Sequence, residues 1–227
     1  KQKTAYEIGV RLVGSEMCIR DSCAGATLGP AGDDVVPTRN PNTYNVIDVA
    51  LVPGRAHPAA RTTPVTSACG LCGSQSIDAV RVRGSHDVAA DPVTVEAGVL
   101  ASLPERLRDH QTVFRKTGGL HGAGLFTAGG EVLCVREDVG RHNAVDKVVG
   151  WALLENRLPL AGTVLQLSGR ASFELVQKAY LAGVPVVSAV SAPSSLAVET
   201  AEDLGLTLAG FVRGTTLNLY SRVDRVV

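Results

Sequence analysis

Thr163-Val-Leu-Gln-Leu167, followed by Ser168-Gly-Arg-Ala-Ser172 and then by Phe173-Glu-Leu-Val-Gln-Lys-Ala-Tyr180, is the stretch of sequence that decides the fold. Its first part is an apolar run of strand length, and its last part places apolar side chains three and four residues apart, as a helix does. A strand that passes through a short junction into a helix is the repeating unit of sheets covered by helices. The stretch therefore predicts a strand, a loop and a helix of an α/β protein.

The same alternation continues from Glu131 to the last residues of the chain. The sequence predicts further strands at Val132–Val135, Val184–Val190, Leu206–Val212 and Leu217–Tyr220, and further helices at Val145–Leu153 and Leu196–Leu204, the last ended by Gly205. Because strands joined through helices run parallel, we expect a mostly parallel sheet covered by helices.

The segment Lys1–Ser22 has no coherent period and does not resemble the rest of the chain. It looks like a translated adapter peptide, so it is interpreted as non-native and excluded from the fold prediction. Cys18 lies inside it and Cys23 just after it, and the spacing of these two cysteines is not interpreted as that of a ligand pair.

Between this segment and the regular half of the chain, the pattern changes at Asp91. Residues 23–66 are rich in Gly, Pro, Asn and Thr, with one predicted strand at Tyr44–Val52. Beyond Asp91, apolar residues recur at helical spacing, and Pro104 is expected to open a second short helix. The chain is thus divided into residues 1–22, 23–90 and 91–227.

Composition and charge exclude several classes of protein. The 22 basic residues balance 22 acidic ones, and aromatic residues make up only 4% of the chain, which disfavours nucleic-acid binding. Five cysteines without an apolar signal segment or an 18-residue apolar run disfavour an extracellular disulfide framework and a membrane span. We therefore expect a cytoplasmic protein that binds neither nucleic acid nor membrane.

The sharpest chemical feature is Cys69-Gly-Leu-Cys72, set among small residues. A two-residue spacer lets both sulfurs meet in one turn, and glycines leave the loop bare. Three interpretations remain open, namely half of a zinc site, a thioredoxin-like dithiol and a persulfide carrier. A zinc site would need further ligands such as His121 and His142, whose spacing is not that of a zinc finger, and Cys134 is expected to be a buried strand residue.

Three junctions are expected to lie beyond the carboxyl ends of strands, where ligands bind in α/β sheets. They are Arg136–His142, Ser168–Ser172 and Ser191–Ser195. Small and hydroxyl residues leave helix N–H groups open to an anion, although each junction alone could be an ordinary capped turn. Together with Arg141 and Arg170, the three favour a ligand that carries phosphate.

Two polar clusters accompany these junctions. His121 lies in a glycine run, which allows a ligand to approach the backbone, although a lone histidine is more often structural. The run Glu137-Asp-Val-Gly-Arg-His-Asn-Ala-Val-Asp-Lys147 contains Arg141 and His142 at the start of a helix. Its alternative interpretation is a solvated helix turn whose charges pair with one another.

These motifs taken together resemble one family, that of the formate dehydrogenase accessory sulfurtransferases. The resemblance rests on Cys69-Gly-Leu-Cys72-Gly, Gly119-Leu-His121, the Glu137–Lys147 run, Ser168-Gly-Arg-Ala-Ser172 and the long run from Ala182 to Phe211. It extends from Cys23 to the last residue. Several ordered motifs are far more specific than any single one.

The resemblance implies a sulfur carrier that receives sulfur from a cysteine desulfurase as a persulfide. By the same resemblance, the sulfur is expected to pass to the bis-molybdopterin guanine dinucleotide form of the molybdenum cofactor, which would then be inserted into formate dehydrogenase. The implied fold is a three-layer αβα sheet like that of cytidine deaminases, formed by residues 91–227, with a smaller subdomain at residues 23–90. Relatives carry a further N-terminal segment, so the smaller subdomain is expected to be incomplete, and a homodimer is left open.

The resemblance also assigns residues. Cys69 is implied to carry the persulfide and Cys72 to assist it, without a metal. The implied cofactor-binding residues are Phe211, Val212, Arg213, Gly214, Thr215 and Thr216, to which the junctions add Arg170, His121, Arg141 and His142. Two alternatives from other classes are a cofactor-binding chaperone without sulfur chemistry and a zinc-binding deaminase-like enzyme, although the chain lacks the deaminase motif.

Overall fold

The computed structural model describes residues 23–28, 47–51 and 86–227. The first two ranges are strands β1, Cys23–Leu28, and β2, Ile47–Leu51, which pair antiparallel. The strand predicted at Tyr44–Val52 is thereby confirmed in its central part. The predicted sulfur-carrying residues Cys69 and Cys72 lie outside the described residues.

Helices and strands alternate through residues 86–227. In chain order they are α1 (Ala97–His110), α2 (Phe114–Thr117), β3 (His121–Thr127), β4 (Val132–Asp138), α3 (Arg141–Leu154), β5 (Thr163–Leu167), α4 (Phe173–Leu181), β6 (Val186–Ala189), α5 (Ser195–Leu204), β7 (Thr207–Arg213) and β8 (Thr216–Ser221), followed by a 3-10 turn at Val223–Arg225. The alternation predicted from Glu131 onward is confirmed, with Gly205 in the left-handed conformation ending α5. Within the described ranges, no helix combines the length and apolar character that a membrane span requires.

Six strands of this part of the chain form one sheet in the order β4-β3-β5-β6-β7-β8. The pairs β5–β6 and β6–β7 are parallel, whereas β3 runs antiparallel to both of its neighbours and β8 antiparallel to β7. Strands β4 to β7 therefore point the same way, as expected, but the sheet is mixed rather than mostly parallel. The physical reason is that β3 and β8 join neighbouring strands through short turns, which antiparallel pairing allows.

Both faces of the sheet are covered, which gives the predicted three layers. Alternate strand residues such as Leu125, Leu165 and Val187 belong to a core on the side of α3, α4 and α5. The residues between them, such as Phe126 and Val164, pack on the opposite side with α1. Because successive side chains of a strand point to opposite faces, each strand supplies both cores.

Strand β3, which lies between β4 and β5, was not predicted, because its sequence His-Gly-Ala-Gly contains residues that are rare in strands. Its glycines are required by packing. A Cβ on Gly122 would lie 2.7 Å from the side-chain amide of Gln111, and one on Gly124 would lie 2.6 Å from the ring of Phe126. Glycine at these two positions therefore allows α1 and the turn that follows it to lie close to the sheet.

Helix α1 corrects the expectation for Pro104. This residue lies inside a single helix of 14 residues instead of opening a second one. Leu100, Leu103 and Leu107 are all buried on the face that meets the sheet. Burial of this apolar face outweighs the missing N–H of the proline, whose local effect alone would have ended the helix.

Arg225, near the end of the chain, connects several distant segments through its side chain, which is only 2% exposed. Its guanidinium donates to backbone carbonyl oxygens of Val88 at 2.7 Å and Gly205 at 2.8 Å, and also to those of Ala89, Asp91 and Pro185. The Val95–Val226 bridge adds a parallel backbone contact beside it. One charged side chain thus ties the segment before α1 to the sheet.

Candidate functional site

The candidate site lies at one edge of the six-stranded sheet. The carboxyl ends of β4 to β7 meet there, and because β3 runs the opposite way, its first residue His121 joins them. The three predicted junctions follow β4, β5 and β6 and lead into the N-termini of α3, α4 and α5. Helix N-termini carry partial positive charge and free N–H groups, so this edge is suited to an anion.

His121 lies directly against the junction after β5. A Cβ on Gly169 would be 3.4 Å from the His121 Nδ1 atom, so the glycine leaves room for the ring. The adjoining Gly122 N–H donates to Ser168 Oγ at 2.8 Å, and the Ser168 N–H donates to the Gly122 carbonyl oxygen at 3.0 Å. The structure therefore brings two predicted features, the glycine-flanked histidine and the Ser168–Ser172 junction, into contact.

Backbone contacts join the remaining junctions into one surface. Ala171 and Pro193 form a parallel bridge, and the Ser194 N–H donates to the Ala171 carbonyl oxygen at 3.0 Å. The Phe211 N–H in turn donates to the Ser191 carbonyl oxygen at 3.3 Å. The loops after β5 and β6 and the end of β7 therefore hold one another in place.

The stretch Phe211–Thr216 forms the end of β7, the turn and the start of β8 at this edge. Phe211 has φ 52° and is 47% exposed, a left-handed conformation that is rare for a bulky residue and is found at functional sites. Arg213 is exposed, as are the three residues after it. Val212 differs, because its side chain is fully buried in the core under α1, so only its backbone is available to a ligand.

The Glu137–Lys147 run is paired partly within itself, as its alternative interpretation predicts, and partly with neighbouring elements. The carboxylate of Glu137 accepts the N–H groups of Val113 and Phe114 at 2.8 and 2.7 Å. Asp138 accepts from Asn143 and lies 2.6 Å from Lys147 Nζ. These side chains position α2 and α3.

The pKa of Asp138 reflects this pairing. Burial by itself would raise the pKa, but the Lys147 ammonium, the Gly140 N–H and the Asn143 amide together hold it below its ordinary value. Asp138 is thus held ionised as a partner of Lys147. It is not available as a proton donor at neutral pH.

His142 is the member of the run that contacts the Ser168–Ser172 junction, and Arg141 precedes it as the first residue of α3. His142 Nε2 lies 3.0 Å from Ser172 Oγ and 3.0 Å from Glu174 Oε2, which connects the start of α3 to the start of α4. The Arg141 Nε atom is buried and has no hydrogen-bond partner within the described part of the chain. An unpaired buried guanidinium nitrogen is costly, and a phosphate oxygen of a ligand would satisfy it.

Asp146, a neighbour of this cluster, is not among the site residues predicted from the sequence. It is 4% exposed and pairs with Lys178. Burial raises the pKa of Asp146 to about 6, although Lys178 and His142 act in the opposite direction. The sequence signal for its involvement is its place four residues after His142, on the same face of α3.

Cys134 behaves as predicted for a buried strand residue. It is a free cysteine with 5% exposure, and burial raises the pKa of its thiol to about 11, although Arg136 acts in the opposite direction. Sulfur chemistry requires a thiolate, which this environment disfavours. Across residues 86–227 and the two described strands, no group of three His, Cys, Asp or Glu side chains is placed to hold a metal ion.

Comparison with known proteins gives a consistent result. A model of the FdhD/NarQ family matches residues 38–227. A protein of Mycolicibacterium paratuberculosis named sulfur carrier protein FdhD is 56% identical over 188 residues, which are 82% of this chain and 69% of the relative. Proteins of the same name from Nocardia farcinica and Streptomyces coelicolor are 56% and 55% identical, covering 86% and 90% of this chain and 73% and 70% of the relatives.

Among solved structures, a protein of Desulfotalea psychrophila described as a formate dehydrogenase accessory protein has a similar fold. The TM-score is 0.55 and the sequence identity is 29%, with 60% of this chain and 60% of the other chain covered. The match thus spans less than two thirds of the solved chain.

Proposed function

The chain belongs to the FdhD/NarQ family, and on that premise we propose that it is a sulfurtransferase that carries a persulfide on Cys69. The sulfur donor is a cysteine desulfurase and the acceptor is the bis-molybdopterin guanine dinucleotide form of the molybdenum cofactor, bound as a substrate. The recipient of the sulfurated cofactor is formate dehydrogenase, and the compartment is the cytoplasm. The names of the curated relatives support sulfur transfer.

The observation that carries the proposal is the edge of the sheet at the ends of β4 to β7. A guanine dinucleotide carries phosphates, and this edge offers three helix N-termini, Arg141 with its unpaired Nε, and the exposed Arg170 and Arg213. The residues present therefore fit the proposed substrate. When bound, the cofactor supplies a metal that takes the delivered sulfur as a ligand.

The chemistry of the cysteines can be written as two balanced steps. The Cys69 thiolate first attacks the terminal sulfur of the desulfurase persulfide, forming its own persulfide and releasing the desulfurase cysteine as a thiolate. The Cys72 thiolate then attacks the Cys69 sulfur, and the terminal sulfur leaves as hydrosulfide with the electron pair of the broken bond. The resulting disulfide is returned to two thiols by a cellular dithiol reductant.

The experiment incubates the full chain with a cysteine desulfurase and sulfur-labelled cysteine, and maps the label by mass spectrometry. We expect the label on Cys69 and its loss in Cys69→Ala, whereas Cys134→Ala serves as a control that keeps it. In Cys72→Ala the label is expected to persist on Cys69, because only its discharge is slowed. Absence of label from both Cys69 and Cys72 would overturn the proposal.

A cofactor-binding chaperone is distinguished by the same variant. If Cys69→Ala binds the cofactor and fully supports formate dehydrogenase activity, the chain is a chaperone without sulfur chemistry. If binding is kept and the dehydrogenase stays inactive, the sulfur carrier is supported.

A further inference from the structure

The segment Thr112–Leu120 connects α1 to β3 and contains the short helix α2. None of its residues is buried, whereas Gln111 before it is 4% exposed and Gly122 after it is buried. Its partly buried apolar side chains, Phe114 and Leu120, belong to neither of the two cores in the described part of the chain. The segment therefore has little apolar attachment to the fold, which is the property of regions that open locally.

The hydrogen bonds that shape this segment lie mostly within it. The N–H groups of Lys116, Thr117 and Gly118 donate to carbonyl oxygens of earlier residues of the segment, at 2.7 to 3.0 Å. The Gly119 N–H donates to Thr117 Oγ1 at 3.3 Å. These bonds give the segment its shape, but they do not fix it to the sheet.

One carboxylate on β4 connects the segment to the sheet. Glu137 accepts the N–H groups of Val113 and Phe114 at 2.8 and 2.7 Å. Across residues 86–227, no other side chain outside the segment forms a hydrogen bond or an ion pair with it. The contact that holds the segment in place is therefore concentrated in Glu137.

Gly119 lies near the other end of the segment, where neither packing nor backbone conformation requires glycine. Apart from its chain neighbours, a Cβ there would meet only the Thr117 carbonyl oxygen among the described residues, at 3.9 Å. Its φ lies outside the left-handed region, in contrast to that of Gly118, which is 65°. Alanine would fit the observed conformation, but glycine gives the backbone more freedom, as a hinge requires.

The segment also forms part of the wall of a cavity of about 300 Å³ beside the candidate site. It contributes Phe114, Gly118, Gly119 and Leu120 to the lining, and the buried Gln111 lines the cavity next to it. Detachment of the segment from Glu137 would therefore widen the entrance of the cavity.

We propose that Thr112–Leu120 is a strap that opens and closes over this cavity, with Gly119 as its hinge and the Glu137 carboxylate as the contact that holds it closed. Opening breaks the two hydrogen bonds to Glu137 and exposes little apolar surface, so the open form lies a small free energy above the closed one. The strap controls access to the cavity whichever molecule enters it, and the inference does not depend on sulfur transfer.

Amide hydrogen exchange of the full chain, followed by NMR, tests the strap. The reporters are the amides of Lys116, Thr117 and Gly118, which donate within the strap and not to Glu137. In Glu137→Ala we expect them to exchange about tenfold or more faster, because two hydrogen bonds to a charged acceptor no longer hold the strap closed. The amides of β5 are expected to keep their exchange rates.

Gly119→Ala is expected to act in the opposite direction. Alanine restricts the open segment more than the closed one, so the same reporter amides should exchange about two- to fivefold more slowly. This variant also tests the strap if Glu137→Ala does not fold. Glu131→Ala is the matched control, because Glu131 is an exposed carboxylate directly before β4 whose side chain has no partner among the described residues, and we expect it to leave the reporter amides unchanged.

Three results would overturn the inference. Faster exchange of Val113 and Phe114 alone in Glu137→Ala would show that Glu137 is only a local acceptor for these two N–H groups. Equal acceleration of the β5 amides would show that the whole fold is loosened. Unchanged or faster exchange of the reporter amides in Gly119→Ala would show that no hinge lies at that position.

Discussion

At the scale of single residues, burial makes Cys134 chemically different from a cysteine that carries sulfur. With its pKa raised to about 11, only about one Cys134 thiol in a thousand is ionised at pH 8. We therefore predict that iodoacetamide leaves Cys134 unmodified in the native protein and alkylates it once denaturant is added. Peptide mass spectrometry of both samples checks this, and rapid native modification at Cys134 would contradict it.

Asp146 gives a prediction for pH. Its pKa is raised from 3.8 to about 6, so between those pH values the folded protein holds a proton that the unfolded chain has released. This proton contributes to the free energy of unfolding below about pH 4, and the contribution is lost as the pH rises to about 6. At about 1.4 kcal/mol per pKa unit, the loss amounts to up to about 3 kcal/mol.

Comparison with Asp146→Asn isolates this effect, because the amide does not titrate. We compare the free energy of unfolding of the unsubstituted chain with that of Asp146→Asn. The difference in favour of the unsubstituted chain is expected to be larger at pH 4.5 than at pH 7. Urea denaturation at the two pH values measures it. An advantage that grows toward pH 7 would show that the ion pair with Lys178 outweighs burial.

At the scale of elements, Gly124 in β3 carries a prediction about packing. A Cβ there would lie 2.6 Å from the Phe126 ring and 3.1 Å from Leu107 Cδ1, so α1 and β3 would have to move apart. Gly124→Ala is predicted to lower the free energy of unfolding by about 1 to 3 kcal/mol. Gly129→Ala is the control, because its Cβ would meet only Thr127 Oγ1 at 3.8 Å, and thermal or urea unfolding compares the two.

The same strand shows why part of the fold could not be predicted. The strand at Thr163–Leu167 was predicted with the bounds that the structure shows, because a short apolar run between turn residues locally favours a strand. The residues of β3 favour a loop locally and form a strand only because α1 and two neighbouring strands surround them. Strand β3 therefore forms because of tertiary packing, which a single sequence does not display. The mixed direction of the sheet, which depends in part on β3, could not be predicted for the same reason.

The candidate site was predictable to a similar extent. The three junctions follow from strand-helix alternation, but the approach of His121 to Gly169 depends on the reversed direction of β3. Gln111 was not singled out, because its place after α1 is ordinary in sequence and its unpaired amide is visible only in three dimensions. The roles assigned to Cys69 and Cys72 stay predictions.

At the scale of the whole molecule, Arg225 joins segments that are distant in sequence. Replacing it by Ala would remove a buried charge together with its bonds to five backbone carbonyl groups, all of which would be left without this donor. We predict a loss of about 3 to 5 kcal/mol in the free energy of unfolding.

Arg222→Ala is the comparison for this prediction. Arg222 pairs with the exposed Asp224 and donates to the Ala89 carbonyl oxygen, so it contacts the same segment from the surface. A loss of at most about 1 kcal/mol is expected for it. Similar losses in the two variants, measured by urea unfolding, would show that the buried position of Arg225 has no special effect.

The convergence of three helix N-termini on one sheet edge has a kinetic consequence for a protein whose 22 basic and 22 acidic residues cancel. Backbone dipoles and nearby guanidinium groups favour a positive potential at that edge even though the basic and acidic residues of the sequence balance. We therefore expect diffusing polyanions to be steered toward one side of the molecule, and this preference to weaken as added salt shortens the range of the field.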